Sequence, residues 1–227
     1  MKPLIILLLA LCAGFTSRLP AQVFVTSNAT APTDNIILSN TAATTTNLSF
    51  RYTGNGTALQ RDVGQTFTVA SAVDLDKVVL FQIGGSSTSS TRNFTLTIES
   101  FATTLVDSAR TLVSAQTGAL QSLPTGNQWV TFDLGTSVSL STGTVYGFRF
   151  AFDTMDATSE FRLDMNSSYA GGTGYQIVYS TSSTPSAVSD ARFYLQTVPE
   201  PSTVALAVAG GSVLMLIVRR RRRQSSI

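Results

Sequence analysis

Between residues 22 and 197 apolar and polar side chains alternate in short runs, separated by clusters of Gly, Ser, Thr, Asn and Asp. Asn93 to Glu99 places Phe94, Leu96 and Ile98 on one face, and Thr144 to Asp153 does the same with Tyr146, Phe148, Phe150 and Phe152, leaving Gly147 and Arg149 opposite. A period of two is that of a strand with one face on a core. Leu48 to Tyr52, Thr66 to Val69, Val130 to Leu134, Glu160 to Met165, Tyr175 to Tyr179 and Arg192 to Leu195 read alike. Val78-Val79-Leu80-Phe81 is apolar on both faces and predicts a central strand. No long 3.6-residue periodicity runs through this region. About ten strands in 176 residues predict one all-β domain over 22–197, a two-sheet antiparallel β-sandwich of jelly-roll type. The Ser/Thr-rich stretches 84–91 and 180–186 read as loops, the second before the final strand.

The two ends break this pattern. Met1-Lys2-Pro3 precedes an apolar run from Leu4 to Ala13, the layout of an export signal over residues 1–21, with a helical core too short to span a bilayer. Cys12 lies within that core; a lipid-anchor role would want a small residue before it, and Leu11 stands there. At the other end Pro199-Glu200-Pro201 is followed by an apolar stretch over 203–218 and then by Arg219, Arg220, Arg221, Arg222 and Arg223, with 224–227 as a short tail. Sixteen helical residues measure about 24 Å against a hydrocarbon core of about 30 Å. Five arginines stay cytoplasmic and set the preceding domain outside. An ordinary single-pass anchor would carry the same features.

The order of the three parts, over Val198 to Arg223, resembles the PEP-CTERM sorting signal of Gram-negative bacteria. The resemblance implies recognition by the membrane protease exosortase, cleavage near Pro199, Glu200 and Pro201, and transfer to the cell surface or an extracellular matrix rich in exopolysaccharide. Implied partners are the Sec export machinery, exosortase, the membrane through 203–218, and exopolysaccharide. Gly64 to Phe67, Val130 to Leu134 and Leu140 to Tyr146 are similar in pattern to the choice-of-anchor domains, β-rich surface modules joined to such tails.

Composition narrows the chemistry. There is no histidine and one cysteine, which removes Ser-His-Asp and Cys-His catalysis, histidine metal sites and a disulfide framework. Residues 22–197 carry eight basic and twelve acidic side chains, a net charge of −4, and the basic ones are scattered singly. That is no footprint for nucleic acid, and neither a cofactor nor an enzyme activity is expected. A glycoside hydrolase needs only two carboxylates, for which Glu99 and Glu160 are the domain's only glutamates.

Three binding candidates remain. Trp129, the only tryptophan, points away from Val130, Phe132 and Leu134; exposed, it would stack a sugar ring, joined by Tyr169 or Tyr175, and covered, it would pack beneath a loop. Asp153, Asp156 and Asp164 surround a turn and offer oxygens to calcium, although aspartate is also a common turn former. Asp74 and Asp76 flank Leu75 and read as solvated edge residues.

Overall fold

The computed structural model describes residues 22–42, 47–51, 61–83, 91–121, 126–153, 160–166, 169–178 and 184–198. The leader over 1–21, Asp156, the triplet Pro199, Glu200 and Pro201, the stretch 203–218 and Arg219 to Arg223 lie outside them. Two compact units divide the chain, Met1–Thr197 and Val198–Ile227. Every regular element described is a strand, and no helix among the described residues is long and apolar enough to cross a membrane.

The described residues form fourteen strands: β1 (Gln22–Asn28), β2 (Ile36–Asn40), β3 (Asn47–Arg51), β4 (Arg61–Thr68), β5 (Val73–Gln82), β6 (Arg92–Phe101), β7 (Arg110–Leu120), β8 (Gln128–Leu140), β9 (Val145–Phe152), β10 (Glu160–Asn166), β11 (Gly174–Val178), β12 (Ser186–Val188), β13 (Asp190–Ala191) and β14 (Phe193–Thr197). They form one continuous curled sheet, a half-barrel in the order β12-β11-β4-β9-β6-β7-β1-β8-β5-β10-β13, with β14 between β5 and β2 and with β3 on β10. The antiparallel expectation needs one correction. β1 starts parallel to β7, Gln22 opposite Thr117 and Val23 opposite Gly118, and then runs antiparallel to β8 from Phe24 opposite Asp133 to Asn28 opposite Trp129. One strand thus passes from one arm of the sheet to the other, as strands do at the corner of a curled sheet.

The alternating aromatics fill the space between the arms. Phe94, Phe148 and Phe150 of β6 and β9 meet Phe132, Phe161 and Phe193 of β8, β10 and β14: Phe94 to Phe132 at 5.4 Å, Phe150 to Phe132 at 5.5 Å, Phe150 to Phe161 at 5.4 Å and Phe148 to Phe193 at 5.5 Å between ring centres. All six are buried. Rings at these separations, mostly tilted or edge-on, satisfy their quadrupoles as well as burying area.

Val78 to Phe81 is interior as expected, with β8 on one side and β14 on the other. For the same reason Asp74 and Asp76 are not on an edge strand; Asp74 accepts a 2.6 Å hydrogen bond from Ser139 on the neighbouring β8. The 180–186 loop is also shorter than expected at its end, since Ser186 opens β12, and β12 and β13 both precede the final strand. That strand, β14, begins at Phe193 and is hydrogen-bonded on both sides, to β2 and to β5.

Candidate functional site

Alternation that sends Val63 and Phe67 into the core turns Asp62, Gly64, Thr66 and Thr68 of β4 to the outer face of the first arm. On the adjoining strands that face carries Val145, Gly147 and Arg149 of β9, Thr97, Glu99 and Phe101 of β6, and Tyr175 of β11. It has a small apolar cluster of its own, Phe101, Val106 and Tyr175, with Val145 against it. Tyr175 lies flat over Gly64, where a Cβ would stand 2.2 Å from its ring and 2.5 Å from the Phe148 carbonyl. Only glycine admits the ring there.

Beside this cluster a chain of charge crosses four neighbouring strands. Arg149 donates to Asp62 at 2.5 Å through one terminal nitrogen and to Glu99 at 3.3 Å through the other. Arg110 of β7 reaches the second oxygen of Glu99 at 3.4 Å, and the Tyr175 hydroxyl donates to that oxygen at 3.2 Å. Register explains the chain. Arg149 is opposite Gly64 and Thr97, two residues from Asp62 and Glu99 respectively, while Glu99 is opposite Leu112, two residues from Arg110. Each pair is therefore a diagonal neighbour, a spacing that long side chains span. Burial and the nearby Glu99 carboxylate push the Tyr175 phenol well above its ordinary pKa of 10.

The same face opens into a cleft at its end nearest the loop 102–109. Thr68, Thr104 and Thr173 line it beside Thr66, whose own hydroxyl is taken up by the Thr173 backbone; Leu38 and Val145 supply apolar wall, and Tyr169 with the turn 170–173 closes one side around about 450 Å³. A second hollow of about 430 Å³, between Leu105, Val106 and the chain 185–187, shares Thr104 and Thr173 with the first.

Asp190 fixes the turn. Its carboxylate accepts the Tyr169 amide at 3.0 Å, the Gly174 amide at 2.8 Å and the Gln65 side-chain amide at 3.1 Å, and Gln65 in turn accepts the Ala191 amide at 2.8 Å. Thr173 donates its amide to the Thr66 hydroxyl at 2.7 Å, and its carbonyl accepts the Thr66 amide at 3.0 Å. At Gly172 a Cβ would fall 1.8 Å from the Thr66 carbonyl oxygen, so the turn can be clamped against β4 only with glycine there. Tyr169 packs edge-on against Phe193 at 5.2 Å, and its buried hydroxyl makes no hydrogen bond among the described residues. Burial, with Asp190 close by, pushes its pKa up to about 12.

The residues expected to bind sugar do not converge. Trp129 is only 3% exposed, and the stacking platform is corrected to its packed alternative. Its indole lies between Phe81 and Tyr194, each 4.8 Å away, and the Arg192 guanidinium lies over Phe81 at 4.0 Å and Trp129 at 4.9 Å. The cause is tertiary, since β5 and β14 bring their own aromatics to this face. Tyr175 is fully buried in the other arm, leaving Tyr169 alone at an opening.

Of the three calcium candidates Asp156 lies outside the described residues, and the other two differ in surroundings. Asp153 is exposed at the end of β9 and accepts the Thr95 hydroxyl at 2.7 Å, whereas Asp164 is buried in β10 beside Arg192 at 3.6 Å, its pKa raised by burial against the pull of that cation. Among the described residues no three acidic, cysteine or histidine side chains gather to hold a metal ion. Glu99, on the polar side of its alternating strand, is buried and already accepts Arg110, Arg149 and Tyr175; the side chain of Glu160 is not among the described ones.

Asp190, Gln65 and the cleft threonines carry no local signature. Threonine is abundant along this whole chain, and a single aspartate before a two-residue strand resembles any turn former. No protein-family model, curated protein or solved structure matches the chain.

Proposed function

We propose that the chain is an exported, non-enzymatic protein of the cell surface or extracellular matrix, processed at a PEP-CTERM signal by exosortase and associated with the exopolysaccharide of a biofilm. The observation that carries this reading is the ordered tail, with Pro199-Glu200-Pro201, the apolar stretch 203–218 and five arginines in sequence. The leader over 1–21 would supply Sec export with the domain outside, the orientation the arginines require. The last strand adds support. β14 is an interior strand that ends at Thr197, and Val198 alone precedes Pro199, so cleavage at the triplet would release every strand of the domain intact.

The non-enzymatic part of the reading is supported by Glu99. A glycosidase needs both carboxyl groups open to substrate, whereas this one is buried and engaged by two guanidinium groups and a phenol. We also read the curled sheet as a two-sheet sandwich of jelly-roll type, supported by the aromatic core between its arms.

Mass spectrometry of the protein from native cells, with membrane and medium analysed separately, tests the sorting. A mature chain that starts near Gln22 and ends close to Pro199 is the expected result. Persistence of peptides from 204–219 on the main membrane-bound species would instead make this a permanently anchored ectodomain.

A further inference from the structure

We propose that the cleft between the loop 102–109 and the turn 169–173 binds a stretch of neutral polysaccharide. A sugar ring presents hydroxyls at its rim and C–H groups on its faces, and the first hollow has the complement of both: threonine hydroxyls beside the apolar surfaces of Leu38 and Val145. Among the described residues no charged side chain lines it. The second hollow adds Leu105 and Val106 with one carboxylate, Asp107, in a domain whose net charge over 22–197 is −4. A polyanionic uronate chain is repelled from such a surface, which is why the ligand is placed among neutral glycans.

The shape argues for a chain over a single sugar. Two hollows of about 450 and 430 Å³ adjoin through Thr104 and Thr173, so consecutive residues of one saccharide fit side by side. The wall is also prepared in advance, since the Asp190 carboxylate holds the amides at both ends of the turn and Thr66 holds Thr173. Pre-set walls reduce the ordering cost of binding. At this wall the Tyr169 hydroxyl has no partner among the described residues. On binding, Gly171, which lies directly over that hydroxyl, must give way for a ligand hydroxyl to reach it. This site does not depend on the sorting reading.

The test is titration calorimetry of the full chain in detergent with cellohexaose, maltohexaose and chitohexaose, their disaccharides, and hexaguluronate as the charged control. At least one neutral hexasaccharide binds, more tightly than its disaccharide, and hexaguluronate does not. Tyr169→Phe weakens that binding about three- to tenfold, the size of one lost hydrogen bond, while the thermal midpoint stays at or above that of the parent. Thr104→Val, an isosteric change at an exposed position, weakens it comparably. Trp129 fluorescence does not respond, because the indole is buried on the other arm. Binding of the uronate alone, no binding by any neutral hexasaccharide at millimolar concentration, or affinity unchanged in both variants would overturn the proposal. Because every outcome is read on the unprocessed chain, failure here is separate from failure of C-terminal cleavage in cells.

Discussion

Arg149 illustrates how much one residue does on the outer face. It is the cation shared by two buried carboxylates, Asp62 and Glu99, and it stands on β9, the strand between theirs. Removing one member of a buried ion pair is costly because the charges left behind have lost water without keeping their partner. Arg149→Met is therefore expected to lower unfolding free energy by about 3 kcal/mol in urea titrations. Adding Glu99→Gln recovers part of that loss, since one stranded charge goes with it; strictly additive losses would show that the two side chains are not coupled.

At the scale of the element, the turn 169–173 depends on a strand of two residues. β13 contributes little sheet, but its Asp190 takes three N–H donors that would otherwise be buried without partners. Asp190→Ala is expected to cost about 2–4 kcal/mol and, in hydrogen exchange, to speed the Tyr169 and Gly174 amides more than the amides of β6 or β9. Uniform acceleration across all strands would mean the aspartate supports the whole fold and not this turn.

Elements also differ in how readable they were. β6 and β9 alternate cleanly and stand where their patterns placed them. β7 does not alternate, because a register shift opposite Ile98 and Glu99 puts Leu112 and Val113 side by side, both exposed, in a strand otherwise poor in apolar residues. β1 changes partner midway, so no single periodicity describes it. β12 and β13, at three and two residues, are too short to show any period.

At the scale of the whole molecule, two tyrosines link stability to alkaline pH. Tyr169 is pushed up to about 12 and Tyr175 well above 10, so the folded state keeps both protons at pH values where the unfolded chain, titrating near 10, releases them. Their contribution to stability is complete below pH 10 and is lost as pH rises toward 12. Urea midpoints should fall between pH 9 and 11.5, and the fall should be shallower in the Tyr169→Phe/Tyr175→Phe variant. An equally steep fall in that variant would assign the effect to other groups.

The sequence by itself determined the class of the domain, because a period of two with β-branched and aromatic residues has no other stable use, and it determined the aromatic stripes that became the core. It also supplied the grounds for the sorting proposal, since a linear tail signal needs no fold to be read. Tertiary structure decided the rest. Which face of Trp129 met water depended on Tyr194 and Arg192, more than sixty residues away in the chain, and whether Glu99 was a solvated carboxylate depended on arginines brought by two neighbouring strands. The cleft exists only because β4, β9, two loops and the turn held by Asp190 come together. Burial and partnership are properties of pairs distant in sequence, and local pattern carries no information about them.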